Sequence, residues 1–161
     1  EFKVRLDLTP VETPISIDNI YYEFGKWDLL PESVNALDSL AELLTLNPTT
    51  VIELMSHTDC RGDDASNFEL SQKRAQSVVS YLISKGIQQG RLVAKGYGET
   101  APKIVTKKLN QQYPFLKQGQ LLTCSFIDSL KDENQKEICH QINRRTEFKV
   151  ISSDYKEKFS K

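Results

Sequence analysis

The chain of 161 residues is 39% hydrophobic and 27% charged, with a net charge of −1. That length holds one domain with a real core, and the near-neutral balance argues against a protein held on nucleic acid by phosphate contacts. No apolar run approaches the ~20 residues of a membrane helix, so no direct membrane insertion is expected. Neither an initiator Met nor a signal-peptide pattern opens the chain, as expected of an excised domain or a mature fragment.

Residues 4–8 alternate apolar Val4, Leu6 and Leu8 with polar positions, which predicts a short half-buried strand. Pro10 and Pro14 then break regular structure, so residues 1–14 read as an arm or the end of a preceding module. Residues 15–24 are rich in β-branched and aromatic side chains, and their latter part reads as a core strand. Pro31 opens a helix in which Val34, Leu37, Leu40, Ala41 and Leu44 step by three and four until Pro48 stops it. Residues 51–55 form the next strand, and residues 58–66 a polar loop in which Gly62 allows a turn.

A second helix begins near Ser66 or Asn67, with Ser66 and Glu69 spaced as a capping box. Phe68, Ala75, Val78, Val79 and Leu82 form its buried stripe. Lys85-Gly86 closes it, with a cation at the negative end of the dipole and a glycine suited to the left-handed position. Residues 91–94 are a third strand, followed by Gly96-Tyr97-Gly98. Residues 103–140 are less regular, with short helices expected over 125–130 and 133–142. Residues 145–151 alternate as a last strand, and 152–161 are a polar tail. The order predicts an α+β two-layer sandwich with helices on one face of a mixed sheet.

Residues 51–99 carry the chemistry. Asp59 lies in the loop after a strand, just before a helix N-terminus, where backbone N–H groups attract anions and the carboxylate takes a cation. Arg74 follows Asn67 by seven residues, about two helical turns or ~10 Å, with Leu70 between them. An acid and an arginine near one another suit a zwitterion, ammonium to Asp59 and carboxylate to Arg74. The plainer reading is a structural Asp59–Arg74 ion pair, which periodicity alone favours.

At this point a family becomes recognisable. Ser56-His57-Thr58-Asp59, Gly62, Asn67, Leu70-Ser71, Arg74-Ala75, Val78 and Tyr81-Leu82 are followed by Gly86-Ile87, Arg91-Leu92, Gly96-Tyr97-Gly98-Glu99 and Pro102. Asn143-Arg144-Arg145-Thr146-Glu147-Phe148 completes the set. Together they resemble the OmpA-like (OmpA/MotB/Pal) C-terminal domain over about residues 17–150. So many matches in order are far more specific than a lone motif.

The resemblance implies a βαβαβ-(insertion)-β fold over 15–152, with the insertion at 103–140 and a tail at 153–161. It implies noncovalent, non-catalytic binding of peptidoglycan through the diaminopimelate residue of the stem peptide, with no cofactor. Asp59 would take the ammonium and Arg74 the carboxylate. Asn67 would bond the ligand or fix the loop, and Arg145 would line the pocket. Thr58 and Cys60 would add backbone contacts, and Phe24-Gly25 would form a wall. The implied place is the periplasm of a Gram-negative bacterium, at the outer membrane, with other outer-membrane or secretion-complex proteins as partners. The insertion and the Tyr21-Tyr22 opening resemble a subgroup common in the Bacteroidetes. It includes outer-membrane lipoproteins and a type IX secretion component. A second reading makes the 103–139 insertion a protein-interaction surface beside a degenerate pocket.

Cys60, Cys124 and Cys139 show no zinc-ligand spacing. Spacing alone leaves three free thiols or a Cys124–Cys139 pair, and the implied periplasm points to the Cys124–Cys139 disulfide. His57 reads as a strand-end residue tied to a neighbour rather than a base or ligand. Ser56, His57 and Asp59 are adjacent without being a triad, and Asp59, Asp63 and Asp64 lack the calcium-loop order.

Overall fold

The computed structural model describes residues 10, 13–23 and 25–156. The expected strand at 4–8 and the wall residue Phe24 lie outside the described residues. Strands β1 (Ile15–Ile17), β2 (Val51–His57), β3 (Leu92–Gly98) and β4 (Thr146–Ser152) form one mixed sheet in the order β1-β4-β2-β3. β2 and β3 run parallel, while β4 is antiparallel to both β1 and β2. Helices α1 (Val34–Leu46) and α2 (Asp64–Ser84) pack on one face. Alternation along the strands turns Ile52, Leu54, Phe148 and Val150 toward them, against Leu37, Leu44, Val78 and Leu82. This is the α+β sandwich that the element order predicts.

Several local details differ from the sequence expectation. The first strand is the early part of 15–24, not the latter part. Asn19 adopts φ 64° directly after it, and Tyr21 spends its backbone on Ser33, whose hydroxyl accepts its N–H at 2.8 Å and donates to its carbonyl at 3.0 Å. α2 begins at Asp64, because the Asp63 carboxylate accepts the Ser66 N–H at 2.9 Å and serves as the cap. Phe68 is 54% exposed. The stripe facing the sheet instead carries Asn67 and Ser71 ahead of Ala75 and Val78. Gly86, at φ 91°, ends α2 as expected.

Arg91 is buried and gathers three carbonyls at the end of α1. Its Nη2 donates to Leu44 and Asn47, both at 2.7 Å, and its Nε to Thr50 at 2.9 Å. The Leu44 and Asn47 carbonyls also accept the backbone N–H groups of Asn47 and Thr50, at 3.3 and 3.1 Å, so Arg91 adds a second donor to each and ties the end of α1 to the start of β2.

The insertion adds α3 (Lys107–Gln112), α4 (Cys124–Ser129) and α5 (Glu133–Asn143) around a core of its own, with Val105, Leu116, Leu122, Ile127 and Cys139 buried. α3 has no counterpart in the sequence reading. Asn143 closes the insertion on itself. Its Oδ1 accepts the Lys103 N–H at 2.9 Å, and its Nδ2 donates to the Leu122 carbonyl at 2.8 Å.

The disulfide expectation is corrected. Cys124 bonds Cys60, with Cα atoms 6.0 Å apart. Cys139 is a free, fully buried thiol. It points into the apolar core of the insertion, whereas Cys124, at the start of α4, faces the loop after β2.

Candidate functional site

The site is assembled where β2 ends, α2 begins and α5 meets β4. β2 is carried past His57 by two backbone bonds, from the His57 N–H to Arg145 at 3.0 Å and from the Thr58 N–H to Gly98 at 2.9 Å. These place Asp59 at the bottom of the loop, 7% exposed. Asp59 Oδ1 accepts the Arg61 backbone N–H at 3.0 Å. Oδ2 accepts Arg61 Nη2 at 2.7 Å and Nε at 3.2 Å, and also pairs with Arg144 Nη1. Burial alone would raise the Asp59 carboxyl. The hydrogen bonds from Arg61 and Arg144 outweigh it and hold the group at about 2.

Glu137, from α5, closes a ring over Asp59. It accepts Arg61 Nη1 at 2.9 Å and Arg144 Nη2 at 2.8 Å. Asn67 fixes the loop. Its amide donates to the Arg61 carbonyl at 3.1 Å, to Glu99 Oε2 at 2.8 Å and, more weakly, to the Asp59 carbonyl at 3.4 Å. Cys60 is tied to the insertion by its disulfide.

Arg74 lies two turns further along α2. Its guanidinium sits 4.7 Å over the Tyr22 ring, and its Nε donates to the Lys26 carbonyl at 2.9 Å. It makes no ion pair among the described residues. Burial lowers its affinity for a proton, partly offset by Tyr22 and Asp59. Arg74 opens into a cavity of about 540 Å³ together with Tyr22, Ser56, His57, Arg144, Arg145 and Thr146. Three guanidinium groups line this space, and among the described residues no carboxylate does. The arrangement suits a carboxylate ligand.

The predicted site residues thus divide. Arg74 and Arg145 share the cavity wall, and Asp59 reaches it through Arg144, which lines the wall and holds Oδ2. Asn67, Thr58 and Cys60 shape the loop, with the Thr58 hydroxyl buried and without a partner among the described residues. Leu70 is half-buried and Gly25 is exposed at φ 66°. Neither lines the cavity.

Of the two adjacent arginines, Arg144 is the one that meets Asp59. Arg145 turns under the insertion, with Nε 3.0 Å from Glu147 Oε1 and Nη2 donating to the Ala101 carbonyl at 3.0 Å. Glu147 is buried and also holds Lys103 Nζ at 2.5 Å, with His57 Nε2 3.3 Å away. Burial would raise the Glu147 carboxyl, but the hydrogen bonds from His57 and Lys103 and the charge of Arg145 keep it well below the usual carboxylate range. Sequence reasoning missed Arg61 and Glu137. Arg61 carried a signal: the backbone N–H two residues after a loop aspartate closes an Asx turn whatever its side chain, and an arginine there also brings a cation within reach of the carboxylate. Glu137 carried none, because its role depends on how the insertion folds back.

A sequence profile of the OmpA family matches residues 21–113. Outer membrane protein A of Shimwellia blattae is 45% identical over 86 residues, covering 52% of this chain and 36% of that protein. The chain therefore spans little more than a third of this relative's length. Among solved structures, the peptidoglycan-associated lipoprotein from Burkholderia pseudomallei superposes with a TM-score of 0.57 at 21% identity, over 81% of this chain and 87% of that one. The cell wall anchor of the type VI secretion system from Pseudomonas aeruginosa gives 0.56 at 20% identity, over 85% and 78%. At these identities the two structures speak for the fold.

Proposed function

The chain belongs to the OmpA family, and from that membership and the Arg74 cavity we propose that it binds peptidoglycan without catalysis. Its ligand is the diaminopimelate residue of a stem peptide, and its task is to anchor an outer-membrane-associated assembly to the cell wall from the periplasm. A type IX secretion complex is one such assembly, since the subgroup that the sequence resembles includes a component of it. The names of the similar structures, a peptidoglycan-associated lipoprotein and a cell wall anchor, support the anchoring role.

One observation carries the ligand class. Arg74 is a half-buried guanidinium with no carboxylate partner among the described residues, in a cavity walled by two further arginines. Keeping an unpaired charge partly desolvated is unfavourable unless a partner arrives. The free end of diaminopimelate offers that carboxylate and an ammonium beside it. The carboxylate goes to Arg74, stacked on Tyr22, and the ammonium to Asp59, which stays ionised across the physiological range.

Sedimentation with purified sacculi tests this. The wild-type chain should pellet with the sacculi, while Asp59→Ala and Arg74→Ala should stay in the supernatant. Removing one partner of a desolvated charged pair costs roughly 2–5 kcal/mol, enough to abolish modest binding. Equal distribution of all three proteins would refute the assignment.

A further inference from the structure

Asp59, Arg61, Glu137 and Arg144 form a closed ring of alternating charge, two carboxylates and two guanidinium groups. Each arginine bridges both acids: Arg61 to Glu137 at 2.9 Å and Asp59 at 2.7 Å, Arg144 to Glu137 at 2.8 Å and to Asp59. Asp59 Oδ2 receives three donors, and Oδ1 takes a backbone N–H. Oδ2, the oxygen that both guanidinium groups hold, therefore has no acceptor position to spare. An ammonium that binds this oxygen must replace a donor rather than join them.

The two arginines are not equally placed to leave. The Arg144 side chain is 32% exposed and forms part of the cavity wall, whereas that of Arg61 is 53% exposed and lies outside it. The backbone around Arg61 is held. Asn67 binds its carbonyl, Asp59 binds its N–H, and Cys60 is bonded to Cys124. Only the side chain is left to move, and Glu137 already holds its Nη1.

We propose that Arg61 occupies on Asp59 the place that the ammonium of the ligand takes, and that Glu137 of the insertion retains Arg61 when it is displaced. The insertion is then part of the ligand site. Arg61 and Glu137 are positioning residues that set how strongly the site prefers a zwitterion to a simple carboxylate. This rests on the diaminopimelate reading given above.

Titration calorimetry with two peptides tests it. One is L-Ala-D-Glu-meso-diaminopimelate. The other carries 2-aminopimelate at the third position, with the same carboxylate and no side-chain ammonium. The readout is the ratio of the two affinities, which a merely structural effect on the loop would not change. Arg61→Ala removes the competitor and should raise the ratio roughly fivefold, the scale of a half-exposed ion pair. Glu137→Gln leaves Arg61 on Asp59 alone and should lower the ratio by a similar factor. Combining Glu137→Gln with Arg61→Ala should cancel that decrease. An unchanged or lower ratio for Arg61→Ala overturns the proposal. If Asp59→Ala meanwhile loses the diaminopimelate peptide, the zwitterion reading stands and only the exchange fails. If Asp59→Ala binds that peptide like wild type, both fall.

Discussion

Gly98 donates its backbone N–H to the Ser71 hydroxyl at 2.8 Å, and Gly96 lies against the same turn of α2. A Cβ on Gly96 would sit 2.5 Å from Ser71 Oγ and 2.7 Å from Gln72 Cα. The Gln72 amide completes the seam, accepting the Gly96 N–H at 2.8 Å and donating to the Ala94 carbonyl at 3.1 Å. Asn67 and Arg74 ride on this helix, four residues before and three after Ser71. Their position relative to Asp59 is set by how closely α2 approaches β3.

Gly96→Ala should therefore act through space rather than through backbone conformation. The added methyl meets helix backbone, which cannot yield as a flexible side chain would. A loss of about 3 kcal/mol is expected in urea unfolding, at the upper end for overpacking. A change within about 0.5 kcal/mol would show that the seam is looser than described.

The cysteine pairing predicts a thiol count. Under denaturing, non-reducing conditions one thiol should react, and peptide mapping should place it at Cys139 with Cys60 linked to Cys124. The bond spans a sequence separation of 64, so loop-closure entropy allows a contribution of up to about 4 kcal/mol. Replacing Cys60 and Cys124 together by serine should lower stability toward that limit, while Cys139→Ala should lose only the packing of one small buried side chain. Three reactive thiols would contradict the pairing.

Stability should fall in acid with a recognisable origin. The Asp59 carboxyl is lowered from 3.8 to about 2, because the arginine hydrogen bonds outweigh the opposing effect of burial. A folded value below the unfolded one means that the contribution is complete above about pH 4 and is lost as pH falls through about 2. Glu147 acts in the same direction. His57 adds an earlier loss. Burial pushes its imidazole below 6.5, so the folded chain favours the neutral ring and is disfavoured as pH drops beneath that value. Asp59→Asn should flatten the decline between pH 4 and pH 2 in chemical denaturation. An unchanged slope would remove Asp59 from the account.

Periodicity made most of the frame legible. The three- and four-residue steps of Val34, Leu37, Leu40, Ala41 and Leu44 read as a buried helix face, and the structure buries the last four while Val34, in the first turn, stays exposed. The charged residues Asp59 and Arg74 were legible through motif spacing. What escaped depends on distant partners. Tyr21 was drawn out of a strand by the Ser33 hydroxyl, twelve residues on. Phe68 faces solvent because the first turns of α2 bury Asn67 and Ser71 against glycines of β3, a polar seam that hydrophobic pattern cannot show. Arg144 and Arg145 are equivalent in sequence, and only the start of β4 decides which meets Asp59. The partner of Cys124 was fixed by the packing of α4 and α5, which turns Cys139 inward.

The central claim is that Arg74 binds the side-chain carboxylate of diaminopimelate. Calorimetric titration with L-Ala-D-Glu-meso-diaminopimelate and with L-Ala-D-Glu-L-lysine, which keeps the ammonium and lacks that carboxylate, tests it most directly. The wild-type chain should prefer the first peptide by about a hundredfold, the scale of a lost charge-assisted contact. Arg74→Ala should bind both equally weakly. Equal affinity of the wild type for the two peptides, or a preference that survives in Arg74→Ala, would contradict the account.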